Sequence, residues 1–416
     1  VKLGIVGLGY VGLPLALAFT EAGDDVVALD TDPAKLADLA AGRSYIEDVA
    51  DAELTAAAPL LHPTSDFADL EDREAVIICV PTPLSGSREP DLSYLREAAA
   101  ALAEHLRPGQ LIVLESTSYP GTTREELLPA LSAVSDLTVG EDYFLAFSPE
   151  RIDPGRSDHT IRTTPKLVGG ITPACSERAR ALYEQICDTV EVLSSPETAE
   201  LAKLLENIFR SVNIALVNEV AQLCDRLGID VWEVVDAAAT KPFGFMRFDP
   251  GPGMGGHCLP VDPFYLAFKA REHDFYPEFV ELAGKVNQAQ PEFCVRRIER
   301  LLNEAEKSVK GSKILILGAA YKPGIGDTRE SPALRIMTLL GDLGAKLSYH
   351  DPFVPELPSQ GLKSVDLEAG LGEADLLAIV TAHPGVDHAA AVGRVPLAID
   401  FRGVTRGIDA DNLERL

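Results

Sequence analysis

Cys258 and Asp262 stand four residues apart in the run Gly251-Pro252-Gly253-Met254-Gly255-Gly256-His257-Cys258-Leu259-Pro260-Val261-Asp262. A thiolate attacks carbonyl carbon, and a nearby carboxylate can orient or deprotonate water. The pair therefore has the parts for covalent capture followed by hydrolysis. Glycines at this density cost backbone entropy unless close packing or unusual dihedrals require them. A lone cysteine is more often a buried, inert hydrophobe. That reading suits Cys79 on an apolar strand, Cys187, Cys224 and Cys294 on helices, and Cys175 at a helix start. Cys258 is the exception, because neither an apolar strand nor an apolar helix surrounds it.

A second constellation is Gly7-Leu8-Gly9-Tyr10-Val11-Gly12, which follows a strand-like run and opens a helix. Such glycines permit a tight turn and close approach of backbone N–H groups to a pyrophosphate. Asp30 ends the next strand-like run, where its carboxylate can accept from the ribose hydroxyls of an adenosine. It would repel a 2′-phosphate, and Thr31 rather than Arg follows it, so NAD is expected over NADP. The alternative is a turn glycine set beside a surface Asp. Lys35, early in the following helix, either reaches the cofactor or is solvated.

Lys203 and Asn207 lie one helical turn apart and share a face turned away from Leu201, Leu205 and Ile208. Two donors pointing the same way can stabilise a developing oxyanion. On spacing alone, a solvated helix face is the more economical reading. Ligands of open α/β sheets bind at the C-terminal ends of strands. That rule nominates Thr82 after Val76–Val80, Ser116-Thr117 after Leu111–Leu114, and Glu150-Arg151 after Leu145–Phe147. Further on, GAAYKPGIGDTRESPA places Lys322 and Arg329 where a phosphate-binding loop would sit. It lacks GxGxxG, so an anionic ligand other than a second dinucleotide is expected there.

These side chains need strand ends and helix faces to position them, and the chain supplies both. Apolar runs at Leu3–Val6, Val26–Leu29, Val76–Val80, Leu111–Leu114 and Phe144–Phe147 alternate with Ala- and Leu-rich stretches, the punctuation of a parallel sheet covered on both faces. From Pro196 to about Leu227 the apolar residues recur at helical spacing, with Ser195 as N-cap and Pro196 at the first helical position. A second βαβ series begins at Lys313. The expected fold class is α/β, with two Rossmann-like doubly wound domains (1–195 and 311–416) joined by a helical central domain (196–302) with one long helix.

Length and composition agree with this layout. A chain of 416 residues exceeds one core, and 46% hydrophobic with 24% charged residues is ordinary for globular domains. The net charge of −27 argues against a nucleic-acid partner, although a local basic pocket can still hold a small phosphorylated ligand. Six cysteines without CxxC spacing argue against a disulfide scaffold or a metal site. No apolar run reaches the roughly 18 residues of a membrane span. The expectation is a cytoplasmic protein with reduced thiols and no membrane or metal.

Taken together in order, GLGYVGLPLALAF, VPTPL, ESTSYPGT, SPER, AELAKLLENIFRSVNIALVNE, PGPGMGGHCLPVDP and YKPGIGDTRESPA resemble the UDP-glucose/GDP-mannose dehydrogenase family essentially end to end. His257 stands where the UDP-glucose branch usually has Ser. The residues around GGHC are most similar to the branch acting on UDP-N-acetylglucosamine. UDP-N-acetylmannosamine, UDP-N-acetylgalactosamine and UDP-glucose are the alternatives, and a non-catalytic NAD or nucleotide-sugar binder is the remote one.

The resemblance implies a four-electron oxidation of a sugar C6 alcohol to a carboxylate, consuming two NAD per sugar. The N-terminal domain would hold NAD and the C-terminal domain the UDP-sugar. Cys258 would carry the thiohemiacetal and thioester, and Lys203 and Asn207 would stabilise the oxyanion. Asp262 would position water with Thr117, and Glu150 would lie close to the reacting carbon. Cofactor contacts implied are Gly7, Gly9, Tyr10, Val11, Gly12, Asp30, Lys35, Thr82, Thr117, Glu150 and Arg329. Substrate contacts implied are Glu150, Arg151, Lys203, Asn207, Gly255, Tyr321, Lys322 and Arg402. A homodimer through the central helix is implied as well. One departure is Arg247, which stands before the glycine loop where a neutral residue is expected.

Overall fold

The five apolar runs of the N-terminal region become strands of one sheet in the computed structural model, which describes residues 1–46, 49–85, 89–134, 136–151, 159–256 and 261–416. These strands are β1 (Lys2–Val6), β2 (Asp25–Leu29), β4 (Ala75–Ile78), β5 (Leu111–Leu114) and β6 (Phe144–Phe147). Three further strands complete the sheet: β3 (Leu61–Thr64), β7 (Lys166–Gly170) and β8 (Val190–Leu193), in the order β3-β2-β1-β4-β5-β6-β7-β8. Sequence reading passes over these three for local reasons. β3 carries His62 and Pro63, β7 ends in two glycines, and β8 is a half-exposed edge with alternating residues. Pro is tolerated on such an edge because no partner there needs its N–H.

Strands β1 to β6 are all parallel, but β7 reverses, with Ala146 opposite Gly170 and Phe147 opposite Gly169. Parallel strands buried on both faces explain the continuous apolar runs. Leu3, Ile5, Ile77 and Val113 have no exposed surface, and Phe19 and Tyr183 pack into the same core.

The second sheet is built from β9 (Lys313–Leu317), β10 (Lys346–His350), β13 (Leu376–Ile379), β14 (Leu397–Asp400) and β15 (Leu413–Arg415), in the order β10-β9-β13-β14-β15 and parallel throughout. A two-stranded ribbon pairs β11 (Glu356–Leu357) with β12 (Leu362–Lys363). Two Rossmann-like sheets with a long helix between them in sequence are thus present, as the residue pattern predicts.

That helix runs Pro196–Leu227. The Ser195 hydroxyl accepts from the Thr198 N–H at 3.2 Å, the N-cap bond expected of it. The helix Glu278–Glu304 follows later and contains Pro291. Contacts divide the chain into two units, one of Val1–Glu206 with Phe264–Tyr276 and the other of Asn207–Pro263 with Pro277–Leu416. Among the described residues no helix is long and apolar enough to cross a membrane. Cys79, Cys175, Cys187, Cys224 and Cys294 are all buried and unbridged.

Candidate active site

In the first unit, the C-terminal ends of adjacent strands collect the nominated residues along one sheet edge. Gly7 follows β1, Thr82 follows β4, Thr117 follows β5 and Glu150 follows β6. Gly7 adopts φ +94°, a left-handed value that favours glycine. A Cβ on Gly12 would stand 1.8 Å from the Gly7 carbonyl oxygen, so only glycine lets the helix Gly12–Glu21 start against this turn. A Cβ on Gly9 meets nothing within 4 Å, which leaves the outer side of the turn open. Val11 occupies the N-cap position without a side-chain cap, and Tyr10 is partly exposed.

Asp30 closes the turn from the neighbouring strand. Its carboxylate accepts from the Leu8 N–H at 2.8 Å, the Asp32 N–H at 2.9 Å and Lys35 Nζ at 2.9 Å. Burial alone would raise this carboxyl, but the Asp32 N–H, Lys35 and the Leu8 N–H together hold it below the ordinary Asp value. A carboxylate offers about four lone-pair directions, so it retains acceptor capacity for a ribose hydroxyl. Lys35 is therefore an ion-pair partner of the fingerprint acid. The open turn and a partly used acid are the features a dinucleotide needs.

Thr82 and Thr117 meet directly, the Thr82 hydroxyl donating to the Thr117 carbonyl at 2.7 Å. The Tyr265 hydroxyl donates to the Thr82 carbonyl at 2.6 Å and pins the same turn. Glu150 Oε1 accepts from the Arg151 N–H at 2.8 Å, and Oε2 lies 3.3 Å from Lys166 Nζ. The Arg151 guanidinium is held 2.7 Å from Glu206.

The reading of Lys203 and Asn207 as a solvated face is corrected. Lys203 is 9% exposed and Asn207 6%, whereas Leu201 and Leu205 are 45% and 63% exposed. The helix buries Leu204, Ile208 and Ala215 together with these polar residues. The stripe inferred from sequence merged two faces, because Leu and Ile recur on both.

In the second unit, Asn207 Nδ2 donates to Asp262 Oδ2 at 2.5 Å, and Asp262 is 1% exposed. Asp262 opens the helix Asp262–Arg271, where the helix dipole favours a negative charge. Cys258 and His257 lie outside the described residues. The glycine loop before them is pinned at its start, with the Gly251 N–H donating to Asn218 and Gln290 donating to the Gly251 carbonyl, both at 3.0 Å. A Cβ on Gly255 would stand 2.6 Å from the Tyr321 Cβ and 2.9 Å from the Glu330 carbonyl oxygen, so this position needs glycine for close packing. The Gly256 N–H donates to the Arg329 carbonyl at 3.1 Å.

Loop 251–256 and segment 321–330 thus come together, which brings Gly255 against Tyr321. Lys322 beside it is half-buried. Arg329 forms an ion pair with Asp327 at 2.6 Å. Arg402 donates through Nε to the Val380 carbonyl at 2.7 Å and approaches Gly251, and burial pushes its pKa down. Arg247 pairs with Asp236 at 2.6 Å and Asp249 at 2.8 Å, so it ties the loop to the helix Val231–Ala239.

Two residues went unread in the sequence although both lie in quoted motifs. Glu200 of AELAKLLEN accepts from the Gly121 N–H at 2.6 Å, the Thr123 N–H at 2.9 Å and the Thr123 hydroxyl at 2.7 Å. It anchors the turn that follows Thr117, and burial pushes its carboxyl up to about 7 against those donors. Glu115 of ESTSYPGT is buried beside Lys166 at 2.8 Å. A buried acid in a motif with several other polar residues carries no periodic signal.

Comparison with known proteins agrees with this geometry. Three family models match in order: the NAD binding domain of the UDP-glucose/GDP-mannose dehydrogenase family over residues 1–187, its central domain over 197–289 and its UDP binding domain over 315–407. The UDP-N-acetyl-D-glucosamine 6-dehydrogenase of Pseudomonas aeruginosa is 36% identical over 354 residues, covering 85% of this chain and 83% of that protein. The UDP-N-acetyl-D-mannosamine dehydrogenase of Pyrococcus horikoshii is 35% identical over 427 residues, covering 98% and 99%. A solved structure of the UDP-D-ManNAc dehydrogenase from that organism superposes with a TM-score of 0.92 at 34% identity, covering 100% of this chain and 99% of that one. An open glycine turn closed by a strand-end acid, followed by a helical region and a second sheet, in a chain matched from end to end, places this protein in the UDP-glucose/GDP-mannose dehydrogenase family, as an NAD-dependent nucleotide-sugar dehydrogenase.

Proposed function

We propose that this chain oxidises the C6 hydroxyl of a UDP-N-acetylhexosamine, with UDP-N-acetylglucosamine as first choice, to the uronic acid. Held at the Gly7–Gly12 turn and Asp30, NAD would supply the hydride acceptor for both rounds of oxidation at C6. The first oxidation leaves an aldehyde, and the Cys258 thiolate adds to it as a thiohemiacetal. Loss of the second hydride leaves a thioester, and water releases the carboxylate and the thiol. Covalent capture prevents a free aldehyde from escaping while the dinucleotide is exchanged.

The observation that carries this reading is the buried Asn207–Asp262 pair, whose acid follows Cys258 by four residues. A carboxylate held by an amide at a helix N-terminus can order a water against the thioester. Lys203, one helical turn before Asn207 and equally buried, supplies the positive charge for the oxyanion. Thr117 assists with the water, and Glu150 lies near the reacting carbon. Gly255, Tyr321, Lys322, Arg151 and Arg402 hold the UDP-sugar. Gly7, Gly9, Tyr10, Val11, Gly12, Asp30, Lys35, Thr82 and Arg329 serve the dinucleotide.

A second reading, UDP-N-acetylmannosamine as substrate, is favoured by the relative that matches over 98% of this chain. The epimers differ at one stereocentre, which pocket shape rather than motif discriminates. We further propose a homodimer, supported by Leu201, Leu205, Phe209, Leu216, Leu223 and Leu227, exposed apolar residues at helical spacing along one helix. Five unbridged cysteines fit a reducing, cytoplasmic location.

The test is a panel of UDP-sugars compared by kcat/KM, with NADH counted per sugar. UDP-N-acetylglucosamine should lead and yield two NADH. Equal rates across the panel sink the substrate choice, and one NADH with aldehyde as product sinks the double oxidation. Cys258→Ser should abolish the full reaction while NAD still binds. Normal turnover by that variant overturns the covalent route. Sedimentation at micromolar concentration checks the dimer, and a monomer would refute it.

A further inference from the structure

One buried acid joins the turn that carries Thr117 to the helix that carries Lys203. Thr117 follows β5, and its carbonyl is held by the Thr82 hydroxyl. Downstream the chain closes on itself at once. Thr122 donates to the Tyr119 carbonyl through its N–H at 3.1 Å and its hydroxyl at 2.8 Å. The Tyr119 ring packs on Phe268 with centroids 5.5 Å apart, and its hydroxyl donates to Glu126 at 3.0 Å. Gly121 adopts φ +106°, a left-handed value that suits glycine. There the turn meets Glu200. One carboxylate oxygen accepts from the Gly121 N–H, and the other accepts from the N–H and the hydroxyl of Thr123. Glu200 has no exposed surface, and neither have Thr122 and Thr123. It lies three residues before Lys203, a neighbouring position on the same helix.

These contacts ask for a carboxylate rather than for any polar side chain. All three partners are donors, and they occupy both oxygens. A carboxylate accepts them all, whereas an amide of the same shape has one accepting oxygen and turns its NH2 on an N–H. The cost of the arrangement is visible. Burial pushes the Glu200 carboxyl up to about 7 against the donors of Thr123 and Gly121, and the charge of Glu197 adds to the rise. Arg124 answers Glu197 at 2.6 Å. Water can satisfy the first N–H groups of a helical segment at no such cost. An acid from 77 residues further along the chain does more, because it fixes two distant elements to each other.

We propose that Glu200 is a positioning residue that locks the Thr117 turn to the helix turn bearing Lys203, so that the ordered water and the oxyanion charge meet at one thioester. This deepens the proposed function and rests on the roles given there to Thr117 and Lys203. Glu200, wholly buried, touches neither water nor substrate and takes no part in the bond changes. Loss of the lock falls on the short turn. A helix of 32 residues keeps its course when one acid is replaced. Hydride removal should therefore survive, and hydrolysis should suffer.

Single turnovers of the full chain test this, with UDP-N-acetylglucosamine below the enzyme concentration and NAD saturating. NADH is followed by absorbance, and the enzyme-bound acyl adduct is followed by intact mass after an acid quench. In Glu200→Gln, adduct decay should slow about ten- to a hundredfold, while both NADH appear within about threefold of the wild-type rate. A general loss of structure would slow the two together. Equal slowing of NADH and adduct decay overturns the proposal, and so does unchanged decay. Should Glu200→Gln not fold, Thr123 decides. Thr123→Val removes one donor and should slow decay about three- to tenfold, and Thr123→Ser, which keeps the hydroxyl, should decay as wild type. Unmoved decay in Thr123→Val then overturns the proposal. Thr117→Val separates the two levels. Wild-type decay there removes Thr117 from the water step and the proposal with it. Slow decay in Thr117→Val beside unmoved decay in Glu200→Gln overturns only the part given to Glu200.

Discussion

The first turns of the two sheets carry the same local device and use it for opposite ends. In each, a glycine with φ near +90° ends the first strand, and an acid from the end of the neighbouring strand accepts N–H groups of the turn: Gly7 with Asp30, and Gly318 with Asp351. Asp30 takes two backbone N–H groups and Lys35. Asp351 takes four, from Ala319, Ala320, Phe353 and Val354, and His383 Nε2 at 2.9 Å as well. The Gly324 N–H donates to His383 Nδ1, so the imidazole proton is on Nε2, facing the acid. The Asp351 side chain has no exposed surface, against 9% for Asp30. A carboxylate committed to five internal donors has nothing left for a ribose. The second turn is therefore a structural knot, and the first keeps acceptor capacity for a ligand.

Replacing the two acids should break the comparison most visibly. Asp351→Ala strands four backbone N–H groups and a buried imidazole. It should cost about 3–5 kcal/mol, read as a lower denaturant midpoint. A wild-type midpoint would show that the knot is dispensable. Asp30→Ala should instead weaken NAD binding by roughly ten- to a hundredfold, the worth of charge-assisted hydrogen bonds, with a much smaller change in midpoint. An unchanged KM for NAD would remove Asp30 from the cofactor site.

The glycines sharpen the same contrast. Gly12→Ala forces a Cβ onto the Gly7 carbonyl, so both NAD affinity and stability should fall. Gly9→Ala meets only open space and should fold normally, yet raise the KM for NAD about tenfold because the added methyl occupies the phosphate's approach. Equal effects of the two substitutions would mean that Gly9 does not face the cofactor.

The smallest expected effect is in acid. Burial works to raise both carboxyls, but hydrogen bonds win and hold Asp30 and Asp351 below the ordinary value of 3.8. Each therefore contributes stability that is fully present above 3.8 and lost as pH falls through the lower folded value. Asp351→Asn should flatten that acid loss more than Asp30→Asn, measured as denaturant midpoint between about pH 5 and pH 2. The reverse order would contradict the assignment of the larger structural load to Asp351.

Much of the fold was legible in the sequence because parallel strands buried on both faces are uniform apolar runs, and Gly7, Gly12 and Ser195 act through their immediate neighbours. The weak strands β3, β7 and β8 were not legible, since edge or glycine-ended strands lack that signature. Within the site, Asp30 and the glycine turn were readable by spacing. Spacing puts Lys203 and Asn207 on one helix face but does not say which face is buried. Leu201 and Leu205 look like core in one dimension and lie on the outside of the helix in three.

By itself the sequence determines which backbone positions must be glycine, where the helices are capped, and to which family the chain belongs, because these depend on residues close together in the chain or on whole ordered motifs. Tertiary structure alone decides which of two similar strand-end acids keeps acceptor capacity for a ligand, and that Lys166 meets both Glu115 and Glu150. Those outcomes depend on donors arriving from distant segments: His383 at Asp351, and a reversed strand at Glu150. Burial then turns each arrival into a commitment, because a charge removed from water must be met by whatever the fold places beside it.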